Sequence, residues 1–273
     1  MRSFIRWAGS KRLSLPFLKP LCKVITGRYI EPFAGSACLF FDMEPEKAIL
    51  GDLNSELISA MRAIRRDVYR VLECLRRLPK GKAAYYRIRD HNPDVLSEPE
   101  LAARFLYINR YCFNGLYRTN LAGKFNVPYG PPRKVGGSRV DESLVINASR
   151  LLQRATLING DFEETLRHAE PGDWVYLDPP YVTAQTRIFS EYVPNSFSNK
   201  DLHRLKTALR RLDESGVTFL ISYGDTPEAK DLLSDWNPIK ATTRRNIAGF
   251  AGHRKTAYEW VATNSREVSK DGD

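Results

Sequence analysis

The tetrapeptide Asp178-Pro179-Pro180-Tyr181 follows directly on the apolar run Trp174-Val175-Tyr176-Leu177. A buried strand is predicted to end there, leaving a carboxylate and a proline-stiffened turn at the carboxyl end of a strand, where α/β enzymes place their ligands. Pro180 has no amide hydrogen, so no local donor competes beside the Pro179 carbonyl. That oxygen and the Asp178 carboxylate are together suited to accept two hydrogen bonds from one planar NH2 group. The Tyr181 ring is suited to stack on whatever carries that group. A plain strand-terminating turn uses the same residue types, so the neighbouring elements decide between the two readings.

The strand that would bring a second ligand to the same sheet is Tyr29-Ile30-Glu31-Pro32-Phe33, closed by the small residues Ala34-Gly35-Ser36-Ala37. Small residues at this position let backbone approach a cofactor closely, although they also serve helix–sheet packing and the pattern is not G-x-G-x-x-G. Asp52 stands 17 residues after Gly35, at the end of the run Ala48-Ile49-Leu50-Gly51. An acid there is placed to grip ribose hydroxyls, and is equally placed to cap the following helix.

Charge is concentrated rather than spread. The net charge is +10, and residues 60–140 hold 17 Lys and Arg against 6 Asp and Glu, whereas the rest holds 25 against 26. A neutral scaffold carrying one strongly basic segment points to a polyanion-binding module. The cysteines, Cys22, Cys38, Cys74 and Cys112, are scattered without a C-x-x-C pair, and the four histidines do not cluster. This argues against zinc and disulfides and for a reducing cytosol. No apolar run approaches the ~20 residues of a membrane span, and the basic N-terminus lacks a signal-peptide pattern. A soluble, unprocessed protein is expected.

Residues 1–58 read as strand, helix, strand, and residues 144–264 continue with strands at 155–158, 174–177, 217–222 and 258–262. Helices alternate with them, notably 198–215, opened by the capping-box-like Ser198-Asn199-Lys200-Asp201. Alternation of this kind predicts a doubly wound α/β sheet. The middle segment, about 59–143, shows arginine-rich helical periodicity to about residue 112, then a turn-rich tract from Asn114 to Gly137 with a hairpin. The last seven or so residues read as a frayed tail.

Six motifs in order then become specific: Phe4-Ile5-Arg6-Trp7-Ala8-Gly9-Ser10-Lys11, the Glu31–Ala37 loop, Asp52-Leu53-Asn54-Ser55-Glu56-Leu57-Ile58, Asn109-Arg110-Tyr111-Cys112-Phe113-Asn114-Gly115-Leu116-Tyr117-Arg118, Phe125-Asn126-Val127-Pro128-Tyr129-Gly130, and Asp178–Tyr181. Over nearly its whole length the chain resembles the Dam-type DNA adenine methyltransferases, with the motif order of the alpha class of amino-methyltransferases. The resemblance implies a Rossmann-like class I methyltransferase fold, a mostly parallel seven-stranded sheet with helices on both faces. Residues 1–58 and 144–265 would form the catalytic domain, 59–143 an inserted, mainly helical recognition domain carrying a β-hairpin, and 266–273 the tail.

By position, the resemblance assigns Asp178, Pro179 and Tyr181 to catalysis. Trp7, Lys11, Asp52 and Asp178 are matched to S-adenosylmethionine, with Phe33 and Gly35 in the loop beside it. On the DNA side, Asn114, Leu116, Arg118 and Pro128 match base-reading hairpin positions, Phe113 an aromatic wedge, and Arg6 a basic residue that reaches the target. The implied reaction is methylation of adenine N6 in duplex DNA, within GATC, with the base flipped out of the stack, no metal, and no obligate protein partner, so that a monomer suffices. Arg118 suits guanine, because a bidentate guanidinium contact to O6 and N7 is the commonest specific base contact. The segment 183–195 is expected as a flap, and arginines between 62 and 89 as phosphate contacts.

The sequence also departs from the pattern. Ser10 and Ala37 stand where glycines are usual, and Pro132 where an aromatic often follows the hairpin, which leaves the outer target bases less defined than the adenine. RNA adenine methylation, or a DNA-binding module with a vestigial pocket, are the alternative functions. Asp178 itself disfavours methylation of protein glutamine, for which Asn would be expected, and of cytosine, where Ser is more frequent. The motifs leave open whether the enzyme is solitary, phage-encoded or half of a restriction–modification pair.

Overall fold

The computed structural model describes residues 1–22, 25–120, 123–130, 140–182, 197–244 and 256–265. The expected flap, the proline-rich stretch after the hairpin and the tail lie outside the described residues. Seven strands, β1 (Tyr29–Glu31), β2 (Ala48–Asp52), β3 (Ala155–Asn159), β4 (Trp174–Leu177), β5 (Thr218–Gly224), β6 (Ile239–Arg244) and β7 (Thr256–Thr263), form one mostly parallel sheet in the order β3-β2-β1-β4-β5-β7-β6. Among the described residues the helices are α1 (Leu15–Leu18), α2 (Cys38–Met43), α3 (Ser55–Arg77), α4 (Lys82–Asp90), α5 (Glu98–Tyr111), α6 (Glu142–Leu152), α7 (Phe162–Leu166), α8 (Asn199–Glu214) and α9 (Pro227–Leu233). The chain divides into two units, one of residues 1–10, 34–46 and 50–160, the other of 11–33, 47–49 and 161–273.

In the second unit, β4 is buried at every residue and pairs parallel with β1 and β5, Leu177 lying opposite Ile221. Burial on both faces is why Trp174–Leu177 reads as an unbroken apolar run. β7 runs antiparallel to β5, setting Ser222 opposite Val261 and Gly224 opposite Glu259. The sheet ends in β6, a strand the sequence reading did not include. Ile-Lys-Ala-Thr-Thr-Arg lacks an apolar run because an edge strand needs only one covered face and gains from charge. α8 begins at the expected capping box, with the Ser198 amide donating to Asp201 Oδ2 at 2.9 Å. Its Leu202, Leu205, Leu209 and Leu212 form the buried stripe.

In the first unit, α3 is capped by Asn54, whose side chain accepts from the Leu57 amide. The cap is therefore Asn54 and not Asp52. α3 breaks its helical backbone at Asp67 (φ −152°, ψ 85°), where the Asp67 carboxylate accepts the Arg70 amide and caps the restarted turn. α5 opens with a capping box of Ser97 and Glu100 and ends at Tyr111. The chain then returns on itself as an irregular hairpin, held by bridges Cys112–Tyr129 and Thr119–Phe125. Phe125 and Val127 pack with Tyr85, Tyr107 and Tyr111, and the Tyr85 hydroxyl donates to the Val127 carbonyl at 2.9 Å. Helices α4 and α5 thus hold a ribbon that has too few ladder bonds to hold itself.

Candidate active site

At the end of β4, Asp178 keeps a partly exposed carboxylate (19 % side-chain exposure). Its Oδ1 accepts from Lys11 Nζ at 3.0 Å and from Ser222 Oγ at 3.3 Å, and Ser222 in turn bonds to the Tyr176 hydroxyl at 3.0 Å. Burial raises the Asp178 carboxyl above the ordinary aspartate value, and Lys11 and Ser222 offset that rise only in part. Pro179 is buried and Pro180 exposed. The turn is fixed beyond them by the Val182 amide donating to the Tyr223 hydroxyl at 3.0 Å.

Lys11 lies in a short helical turn, Lys11–Leu13, and is only 4 % exposed. Besides Asp178, its ammonium donates to Glu259 Oε1 at 2.8 Å and to the Tyr181 hydroxyl at 2.7 Å. Burial pulls the amine down, but Asp178, Tyr181 and Glu259 together raise it far above its ordinary value. The Tyr181 hydroxyl also donates to Glu259 Oε1 at 3.2 Å, and its ring meets Tyr223 edge-on at 5.0 Å. A side chain at Gly224 would lie 2.9 Å from that ring. The structure therefore joins Lys11, Asp178 and Tyr181, three residues the sequence singled out, through Glu259 and Ser222, which it did not. Neither omission had a local signal: Glu259 sits in an ordinary strand pattern, and its partner Lys11 is 248 residues away.

Phe33, also in the second unit, stacks on Phe162 at 5.3 Å and meets Phe197 edge-on at 6.0 Å. Arg204 lies over the Phe162 ring at 4.9 Å while binding Asp161 and Glu163. This aromatic cluster with adjacent acids was not part of the sequence reading, apart from Phe33.

In the first unit, the Asp52 carboxylate closes the glycine-bearing loop: Oδ2 accepts the Gly35 amide at 2.8 Å and Oδ1 the Asn54 amide at 2.8 Å. Burial raises its proton affinity, and the two amides oppose that. Gly35 has φ +47°, and a Cβ there would lie 2.9 Å from the Trp7 indole. Ala37 also holds a left-handed backbone, φ 46°, which explains why glycine is the usual residue at that position. Trp7 stacks on Tyr117 at 5.5 Å, and the Tyr117 hydroxyl donates to Glu56 at 2.9 Å. The four cysteines are free thiols, with Cys112 pushed by burial up to about 11 and Cys22 to about 12, so neither is a nucleophile at neutral pH. Among the described residues no three acids, histidines or cysteines gather as a metal-ligand group, and no described helix is long and apolar enough to cross a membrane.

The hairpin residues stay within the same unit. Phe113 is 41 % exposed, Arg118 and Pro128 are exposed, and Asn114 and Leu116 half-buried. Asn114 adopts φ 55°, which its side chain tolerates. Arg118 Nε donates to Asn126 Oδ1 across the ribbon at 2.9 Å. Arg6 exchanges backbone bonds with the Asn109 side chain, at 2.9 and 2.6 Å, and its guanidinium donates to the Arg110 carbonyl. Most arginines between 62 and 89 have partners inside the protein. Arg62 and Arg65 donate to the Leu157 and Ala155 carbonyls of β3, while Arg66, Arg70, Arg76, Arg77 and Arg89 pair with acids.

A mostly parallel seven-stranded sheet, with Asp-Pro-Pro-Tyr closing a central strand and an acid bound to a glycine-bearing loop, is a Rossmann-like methyltransferase architecture. Residues 7–247 match the model of the D12 class N6 adenine-specific DNA methyltransferases, and the chain belongs to that family. It is 35 % identical to the type II methyltransferase M1.LlaDCHI of Lactococcus lactis subsp. cremoris, over 97 % of this chain and 95 % of that one. It is 33 % identical to M.MjaIII of Methanocaldococcus jannaschii, covering 97 % and 99 %, and 30 % identical to the DNA adenine methylase of Escherichia coli K12, covering 96 % and 94 %. The protein is an adenine-specific DNA methyltransferase, an activity that requires a methyl donor of the S-adenosylmethionine type.

Proposed function

We propose that the chain methylates the exocyclic N6 of an adenine extruded from duplex DNA, within GATC, with S-adenosylmethionine as donor. The observation that carries this reading is the Asp178 carboxylate at the end of β4, held through one oxygen by Lys11 and Ser222. Adenine's amino lone pair is delocalised into the ring, which makes it a poor nucleophile. Hydrogen bonds from its two hydrogens to Asp178 and the Pro179 carbonyl favour a pyramidal nitrogen with a localised lone pair. The bond from nitrogen to the methyl carbon forms as the carbon–sulfur bond breaks, with the electron pair left on sulfur. The nitrogen carries positive charge until its surplus proton passes to water. The two acceptor oxygens stabilise that charge as an oxyanion hole stabilises the opposite one, and the raised proton affinity of Asp178 strengthens it as acceptor.

We assign Trp7, Lys11, Phe33, Gly35 and Asp52 to the donor, with Lys11 acting through Asp178 and Glu259, to which its ammonium is bonded. Tyr181 takes the extruded base. Residues 59–143 serve target recognition: the exposed Phe113 suits a wedge, and Arg118, steadied by Asn126, suits a bidentate guanine contact. Asn114, Leu116 and Pro128 complete the reading edge, and Arg6 approaches the target from the hairpin base. The protein acts as a monomer in a prokaryotic or phage-infected cytoplasm; the bacterial and archaeal relatives support that setting. Sequencing methylated adenines in DNA from cells expressing the protein tests target and activity together. Methylated adenine confined to GATC is expected; another motif would overturn the target, and no methylated adenine would overturn the substrate.

A further inference from the structure

We propose that Glu259 is a positioning residue for methyl transfer, acting through Lys11 to keep the Asp178 carboxylate available as an acceptor. This rests on the role given to Asp178 above. The antiparallel pairing of β5 with β7 sets Glu259 beside Gly224, two residues beyond the Ser222 that bonds to Asp178. Gly224 leaves room for the Tyr181 ring, so the Tyr181 hydroxyl reaches both Lys11 and Glu259. Lys11 has three ammonium protons and three acceptors: Tyr181 at 2.7 Å, Glu259 at 2.8 Å and Asp178 at 3.0 Å.

Lysine and glutamate are rarely this buried unless paired; Lys11 is 4 % and Glu259 3 % exposed. A simple buried pair would need only Lys11 and Asp178. That pair would be neutral, and its cation would draw on the very electrons that must accept the amino hydrogens. Glu259 adds a second buried carboxylate on the same cation. Sharing that ammonium between two carboxylates weakens its pull on either one, which leaves Asp178 better able to answer the positive charge that grows on the attacking nitrogen. Among the described residues, both bonds to Asp178, from Lys11 and Ser222, fall on Oδ1, which leaves the other oxygen to accept from substrate. Among the described residues, the charged or titratable groups facing Asp178 are Lys11 from the N-terminal turn, Glu259 from β7 and Tyr181 from its own loop, with Tyr176 of β4 linked through Ser222.

The test is the pH dependence of single-turnover methyl transfer for wild type, Glu259→Gln and Glu259→Asp, with S-adenosylmethionine and a GATC duplex. Losing the Glu259 charge makes Asp178 easier to ionise. For Glu259→Gln the acidic limb should therefore move down by about one pH unit and the rate fall by up to about ten-fold, with the KM for DNA unchanged. Glu259→Asp retains the charge and should keep the limb near its wild-type position. A Glu259→Gln enzyme with wild-type rate, or one whose loss comes with an unmoved limb, overturns the proposal. If that variant does not fold, carboxyl-carbon NMR titration of the wild type decides: Asp178 should titrate above the ordinary aspartate range, and a value at or below it overturns the proposal. Failure of the underlying reading is separate, since wild type itself would then not methylate the duplex.

Discussion

Replacing Lys11 with methionine keeps the length of the side chain but removes a buried cation that faces two carboxylates, Asp178 at 3.0 Å and Glu259 at 2.8 Å. Glu259 is almost sealed from water and Asp178 one-fifth exposed. Breaking a buried pair by deleting one partner costs about 3–5 kcal/mol. At roughly 2–4 °C per kcal/mol for a chain of this size, the melting temperature at pH 8 should fall by roughly 6–20 °C. The penalty should depend on pH in one direction. Without Lys11, the Asp178 carboxyl, already raised by burial, is raised further above its unfolded value, so its destabilisation is absent below the unfolded value and grows as pH rises through the folded one. Protonation recovers about 1.4 kcal/mol per pH unit below a raised value. Wild type lacks this loss through neutral pH, because its raised lysine holds its proton until far into alkali. Thermal unfolding of both proteins at pH 5.5 and pH 8, at one ionic strength, measures the effect. A melting-temperature difference equal at the two pH values would refute the reasoning.

Gly115→Ala should loosen the hairpin base: its φ of +67° costs an L residue about 1–2 kcal/mol, and the new Cβ would lie 2.6 Å from Arg6 Cβ. Faster proteolysis near the hairpin and weaker duplex binding would register this. Arg118→Ala should relax selectivity at one guanine by about 1–3 kcal/mol, measured by methyl transfer to duplexes altered one base pair at a time. Asp52→Asn turns an amide NH2 toward a backbone amide that now donates to Asp52. A cost of about 1–3 kcal/mol is expected, read as weaker S-adenosylmethionine binding by calorimetry.

The strands that position the chemistry were legible because buried parallel strands are written as apolar runs that stop at turns. Asp178 and Asp52 were visible as the acids that follow two such runs. Edge strand β6 was not, for lack of that burial. Arg62 and Arg65 looked like phosphate ligands by composition, yet they donate to β3 carbonyls; which surface a helical arginine faces depends on tertiary packing. Lys11 was legible as a residue but its bonds were not, since strand register and not local pattern brings Glu259 to it. Ala37 shows the reverse case, in which a departure noticed in sequence proved to occupy the left-handed backbone that favours glycine.

The most direct measurement is transfer of labelled methyl from S-adenosylmethionine to a GATC duplex by wild type and by Asp178→Ala, with circular dichroism of both. Transfer to adenine N6 by wild type, and none by a variant with wild-type secondary structure, is the expected result. Near-normal turnover by Asp178→Ala would contradict the role of that carboxylate as acceptor for the amino group.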